Sequence, residues 1–328
     1  MATQNKEIII NGIAIDPNKK RKKTWKTIIF IISFTILPLF NFLLFYVYVN
    51  LSSFTLAFQE HVDGTIIWGF TQFKGILDDF AKSDGEMLHA LINTLKTFGV
   101  SLCMYPVSII VSYFLYKKVR GHNVFRVLFF LPQIVSSIVW TYFYKQFVSS
   151  VGPIAGIVQD IWNFERPIGG LANSKTANTF VLLHMIWMGF PGNIIIWSGT
   201  FARIPESVVE YAKLDGVGWV REMVQIILPM VWPTFSLFLI LQLAGLFSAS
   251  GSVFLLTSDP TVATGVHTET LSNWFYRTMY AGGGTPSDNS LSQMSALGMM
   301  ITVVACTLSL TARKWLVKLV PDVEFSGG

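Results

Sequence analysis

The chain has 328 residues, of which 52% are hydrophobic and 13% charged, with a net charge of +5. Soluble domains carry roughly 25% charged residues, so this composition excludes an ordinary soluble protein and indicates a membrane protein. The basic excess does not mark a nucleic-acid binder, because the lysines and arginines sit beside apolar runs and form no separate basic domain.

Residues 1–18 read as a polar, featureless arm, and residues 1–27 together as a cytoplasmic N-terminal segment. Lys19-Lys20-Arg21-Lys22-Lys23 precedes an apolar run from about Ile28 to Val49. Roughly 22 residues at about 1.5 Å each reach about 33 Å, enough to cross a bilayer and too long for a signal-peptide core. No convincing small-x-small cleavage site follows, so this is an anchored first helix. Residues 50–88 form a polar, acidic outer loop without an assigned role, holding Glu60, Asp63, Asp78, Asp79, Asp84 and Glu86.

The second span covers about Leu91 to Tyr116 and is followed by a basic turn through Lys117, Lys118, Arg120 and His122. The third runs from about Val124 to Phe147, the fourth from Thr179 to Thr200, the fifth from Thr234 to Leu256 and the sixth from Leu291 to Leu310. The expectation is therefore an all-α membrane protein with six transmembrane helices in a domain over 28–320, ending in a tail over 321–328. Pro38, Pro106, Pro132 and Pro191 fall inside spans, where they either disturb packing locally or serve motion. Cys103 and Cys306 both lie in apolar runs, which suits packing and not a disulfide, and no metal-ligand spacing is present.

Between the fourth and fifth spans, residues 203–233 stand out as a polar but helical interlude. Pro205 followed by Glu206 and Glu210 suits a helix start, with Val208, Val209 and Ala212 on its apolar side. Gly216 and Gly218 break that helix. A second short amphipathic run, Val217 to Leu228, is expected to end against Pro229. The segment reads as two short helices joined by an elbow.

Orientation follows from charge. With the N-terminus inside, the cytoplasmic segments 1–27, 117–126, 201–233 and 311–328 hold 17 of the 24 lysines and arginines. Both termini and the 203–233 segment are then cytoplasmic.

Glu210-Tyr211-Ala212, Gly216, nine residues, and Ile226-Ile227-Leu228-Pro229 resemble the EAA loop of bacterial ABC importer permeases, E-A-A-x-x-x-G-x9-I-x-L-P, departing at Tyr211. Asn93-Thr94-Leu95, Phe129-Phe130-Leu131-Pro132, Trp187-Met188-Gly189-Phe190-Pro191, Thr268-Glu269-Thr270-Leu271 and Phe275-Tyr276-Arg277 extend the resemblance to the carbohydrate-importer branch, relatives of the maltose and glycerol-phosphate permeases. Leu256-Thr257-Ser258-Asp259-Pro260 departs from the T-x-G-G-P of that branch. The resemblance implies the type I ABC importer permease fold, in the bacterial cytoplasmic membrane. It also implies partners: a second homologous permease, two ATP-binding-cassette ATPases that use ATP and Mg, and an extracytoplasmic solute-binding protein carrying a sugar. Glu206, Glu210, Tyr211, Ala212, Asp215 and Gly216 would be the coupling residues, with Glu210 the polar anchor, Tyr211 and Ala212 contact surface, and Gly216 the hinge or cap.

The residues agree with a non-catalytic role, since the chain has no Walker A motif, paired carboxylates or Ser/His/Asp spacing, and no cofactor of its own is expected. For the solute path, Met185, Met188, Gly189 and Gly192 share one face of the fourth span. Ser137 and Trp140 on the third span and Gln242 and Gly245 on the fifth could complete a cavity, with Trp140 stacking on a sugar and Gln242 bonding its hydroxyls. The same small-residue face also suits plain helix packing. Lys96 can snorkel to the outer interface, and His184 is either a hydrogen-bonded core residue or a proton relay. A relay would make the chain a stand-alone proton-coupled transporter, but the apolar interiors of its spans hold no Asp or Glu. A third alternative is an importer permease for a non-sugar solute.

Overall fold

The computed structural model describes residues 8–10, 13–15, 25–62, 64–82, 85–166, 169–248, 251–257, 268–280 and 287–319. The chain forms two compact units, residues 1–55 and residues 56–328. The basic cluster Lys19–Lys23, the segment Ser258-Asp259-Pro260 and the tail 321–328 lie outside the described residues.

In the first unit, β1 (Ile8–Ile10) and β2 (Ile13–Ile15) pair antiparallel, Ile10 opposite Ile13. The N-terminal arm is therefore not featureless. Helix α1 (Trp25–Leu56) passes one residue beyond this unit and contains a π-helical turn at Phe42–Tyr48. It outruns the expected end at Val49 because the polar side chains there bond backward: Asn50 Nδ2 donates to the Tyr46 carbonyl and Thr55 Oγ1 to that of Ser52. None of the residues of its three helical stretches is buried.

The second unit opens with structure where a polar loop was expected. β3 (Gln59–Val62) and β4 (Thr65–Trp68) form a hairpin turned at Gly64, whose φ of +77° suits glycine, and α2 (Thr71–Ala81) follows. Then come α3 (Glu86–Tyr116), α4 (His122–Ile134), α5 (Ser137–Phe147), α6 (Ala155–Trp162) and α7 (Ser174–Phe201). The chain continues through α8 (Glu206–Leu214), α9 (Trp219–Ala244), α10 (Gly251–Thr257), α11 (Leu271–Tyr280) and α12 (Asp288–Leu319).

Two expected spans are corrected. The third is not one rod: α4 and α5 meet at 101°. Pro132 supplies no backbone N–H to its helix, and Val135 (ψ 143°) and Ser136 (ψ 135°) are extended, so the ladder is broken between the two pieces. Among the described residues, five helices are long and apolar enough to cross a membrane, or six spans if this bent pair counts as one. The fifth span begins earlier and ends earlier than expected. The run after the elbow does not stop at Pro229, because that proline sits near the start of a helical segment whose first N–H groups need no intrahelical partner. A π-helical turn at Met223–Ile227 joins it to Trp219–Glu222, giving one helix from Trp219 to Ala244.

Between membrane helices, packing and polar contacts replace the hydrophobic effect. The α3–α7 pair is the most extensive, with the small residues Ser108, Ser112 and Ala177 fully buried and Ser112 Oγ donating to the Ile194 carbonyl over 3.4 Å. Tyr113, Trp197, Phe201 and Ile227 form the core at the far end of that pair, while Ile76, Leu271, Met294 and Leu297 form another beneath α2.

Candidate functional site

At the C-terminal ends of α3 and α7, α8 is fixed to the bundle on one side only. Val209 and Ala212, three residues apart, turn inward and are buried, while Glu206, Glu210, Tyr211 and Asp215 stay exposed. Val209 joins the core of Tyr113, Phe201 and Ile227. Ala212 is therefore packing and not contact surface, a correction to the sequence reading. Leu214, 81% exposed, stands beside Tyr211, 68% exposed, and was missed because its polar neighbours hid it.

The helix ends in a Schellman turn: Val217 N–H donates to the Ala212 carbonyl (3.0 Å) and Gly216 N–H to that of Lys213 (3.1 Å). Gly216 takes φ +69°, a left-handed conformation that glycine adopts without cost.

The elbow is tied to α3 by Lys117, whose Nζ lies 2.6 Å from Glu222 Oε2. Glu222 is 1% exposed. The Lys117 ammonium also lies 5.5 Å from the centre of the Tyr113 ring. Burial lowers the pKa of Lys117, but Glu222 and Tyr113 together outweigh that and hold it above the ordinary value. A groove of about 460 Å³ between α8 and the basic turn is lined by Lys118, His122, Arg126, Glu206, Glu210 and Lys213.

Deeper in the bundle two cavities share Ser101, Met185 and Gly189. The smaller, about 210 Å³, is completed by Tyr105, Asn193 and Gln242 among others. Tyr105 OH donates to Gln242 Oε1 over 3.3 Å. The larger, about 600 Å³, opens against the α4–α5 break and is lined by Gln133, Ser136, Ser137 and Met188. Gln133 Nε2 donates to the Met188 carbonyl over 3.3 Å. No Asp, Glu, Lys or Arg lines either cavity among the described residues.

Ser137, Met185, Met188, Gly189 and Gln242 thus line cavities, and three expected residues do not. Trp140 packs edge-on against Trp187, ring centres 5.1 Å apart, which commits its indole to aromatic packing. A Cβ on Gly192 would sit in ordinary contact with the Gln133 amide at 3.5 Å, and Gly192 lies outside both linings. Gly245 follows the end of α9 and lies outside both linings. Ser101, Tyr105, Gln133 and Asn193 were missed; each is a polar residue inside an apolar run, the one signal available. His184 is fully buried beside Thr141 (Nε2 to Oγ1 3.4 Å) and Tyr144, and lines neither cavity.

At the opposite end of α3, two segments distant in sequence meet. Asn93 Nδ2 donates to the Glu269 carbonyl (3.2 Å), and Thr94 Oγ1 accepts from Leu271 N–H (2.8 Å). Arg277 bridges the buried Glu269 (3.0 Å) and Glu86 (2.7 Å). This polar clasp holds α11 on the start of α3.

Residues 104–320 match the binding-protein-dependent transport system inner membrane component family. The chain belongs to that family. Among curated members, it is 28% identical over 202 residues to the multiple sugar-binding transport system permease protein MsmF of Streptococcus mutans, covering 58% of this chain and 69% of that one. It is 24% identical over 277 residues to the arabinooligosaccharides transport system permease protein AraP of Bacillus subtilis, 84% of each chain. Against the maltose/maltodextrin transport system permease protein MalF of Escherichia coli it is 24% identical over 205 residues, and spans 40% of that longer protein. A solved chain of a bacterial alginate ABC transporter, in complex with alginate pentasaccharide-bound periplasmic protein, has the same fold, with a TM-score of 0.72 at 20% identity over 92% of this chain and 99% of that one. The fold of this family member is thus that of an ABC importer permease, and it spans the membrane as a transport component.

Proposed function

We propose that the chain forms half of the translocation pathway of an ATP-driven importer for a neutral sugar or oligosaccharide. An extracytoplasmic binding protein delivers the solute, a second homologous permease completes the path, and two separate ATPases with ATP and Mg drive it. The observation that carries this reading is the one-sided mounting of α8. Val209 and Ala212 lock it to the bundle, and Glu210, Tyr211 and Leu214 are left facing outward for a partner. The elbow beyond α8 leads directly into α9, which reaches the smaller cavity at Gln242. Force applied to α8 therefore has a route through the elbow and one continuous helix to the cavity wall.

The solute class is supported by the linings, where Ser, Tyr, Asn and Gln supply hydrogen-bonding groups without charge. Such groups suit hydroxyls, and an anionic solute would lack a counter-charge there. The names of the relatives, which include multiple-sugar, arabinooligosaccharide and maltodextrin systems, point the same way. Lys117, Lys118, Arg126, Arg203 and Lys213 cluster at the α8 end, which favours a cytoplasmic placement of α8 and of both termini.

The test is ATP hydrolysis by the reconstituted complex with binding protein and a panel of neutral and acidic sugars. One neutral sugar should stimulate hydrolysis, and Tyr211→Ala or Glu210→Ala should abolish the stimulation without disturbing the fold. Solute uptake by the chain alone, unaffected by either substitution, would refute the reading.

A further inference from the structure

The β3–β4 hairpin is built inside out for a ribbon in water. β3 carries Gln59, Glu60 and His61, and these are half-buried against the protein. β4 carries Ile66, Ile67 and Trp68, and these are 52%, 50% and 62% exposed, followed by Phe70 at 65%. A ribbon surrounded by water does the reverse, turning its apolar strand inward. Successive strand residues point to opposite faces, so Ile67 and the Ile66–Trp68 pair project on both sides. Apolar side chains of β4 therefore stand exposed on both faces at once.

The depth of the hairpin is fixed. Asn289, one residue into the spanning helix α12, accepts from His61 N–H (2.8 Å) and donates to the His61 carbonyl (2.9 Å). The hairpin is thus level with the first turn of a spanning helix. Among the described residues β4 pairs with β3 alone, leaving an outer edge of unpaired backbone groups. Such an edge cannot lie in hydrocarbon, where nothing satisfies it, but it can lie among headgroups and their water. Tryptophan beside aliphatic residues has the chemistry of that layer.

We propose that β4 and Phe70 are seated in the lipid headgroup layer, as an interfacial anchor that holds α2 and the start of α12 at a set depth. The occupant of this apolar surface is lipid and not another protein, since the hairpin is bonded to the first turn of a spanning helix and carries tryptophan and aliphatic side chains exposed on both faces.

The test uses the full transporter complex in nanodiscs, with Cys103 and Cys306, both exposed, replaced by serine. A fluorophore is placed through Trp68→Cys and, in a second protein, through Ile66→Cys. Nitroxide-labelled phospholipids carry the quencher either near the headgroup or near the chain end. The headgroup-proximal label is expected to remove about half of the emission at both sites, more than the deep label does, as suits a probe seated in the interface. Loaded binding protein should leave the quenching unchanged. A probe at Lys82→Cys, where the native side chain is 68% exposed, should stay bright. Absence of quenching at both sites, stronger quenching by the deep label, relief by binding protein, or equal quenching at Lys82 would each overturn the proposal.

Discussion

Removing Lys117 and removing Glu222 should have unequal costs, and removing both should cost less than removing Lys117 alone. Glu222 is 1% exposed and its Oε2 lies 2.6 Å from Lys117 Nζ. Lys117→Ala leaves that carboxylate buried without its cation, a change that costs about 3–5 kcal/mol for buried pairs. In Glu222→Gln the lysine keeps a hydrogen-bonding partner and a side chain 20% exposed that can turn to water, so the loss should be about 1–2 kcal/mol. Lys117→Met combined with Glu222→Leu replaces the pair by apolar groups and should fall within about 1 kcal/mol of the parent. Lys118→Ala is the reference: its Nζ is 3.9 Å from Glu206, both side chains are exposed, and such pairs contribute about 0–1 kcal/mol. The assay is thermal inactivation of the complex in nanodiscs, read as the midpoint of lost ATPase stimulation. The sign with pH is also set. Lys117 is held above 10.5 in the folded chain, so its contribution is complete below that value and disappears only as pH rises through the raised one. If Lys117→Ala is as mild as Lys118→Ala, or the double variant is worse than Lys117→Ala, the pair does not hold the elbow and this account fails.

Two further expectations follow from single glycines. Gly216→Ala must place a Cβ at φ +69° and should destabilise the elbow by about 1–2 kcal/mol, measured as weaker co-purification of the ATPase, whereas Gly218→Ala, at φ −67°, should not. At Gly189 an added Cβ meets nothing within 4 Å, so Gly189→Leu should fold normally and fill the space shared by both cavities. Uptake of the sugar should then fall while ATP hydrolysis persists; unchanged uptake would remove these cavities from the path.

Much of this was legible in the sequence because the membrane imposes long apolar runs and the elbow carries its own punctuation. Pro205, Glu206 and Gly216 bracket α8 by local chemistry alone, and the left-handed φ of Gly216 is what that reading requires. What escaped was set by contacts across the chain. The third span reads as continuous because Ile134, Val135 and Ser136 give no stop signal, yet the backbone is extended at Val135 and Ser136. Trp140 looked available for a sugar because nothing local reveals its edge-on packing against Trp187. The outer hairpin was lost in a stretch counted as polar, since β4 is only four residues long and its apolar side chains do not face the protein core. Ala212 resembled contact surface by its place in a motif, whereas its burial depends on how α8 seats on the bundle.

The continuity of α9 has a mechanical consequence. From Trp219, just past the elbow, to Gln242 the helix is about 35 Å long, at about 1.5 Å per residue. It is a lever arm whose short end carries the Lys117–Glu222 pair and whose long end carries a wall of the smaller cavity. A tilt of about 10° at the elbow sweeps Gln242 through about 6 Å on that length. A cavity of about 210 Å³ is of similar width, so a modest rotation at the elbow moves its Gln242 wall by a distance comparable to the cavity itself.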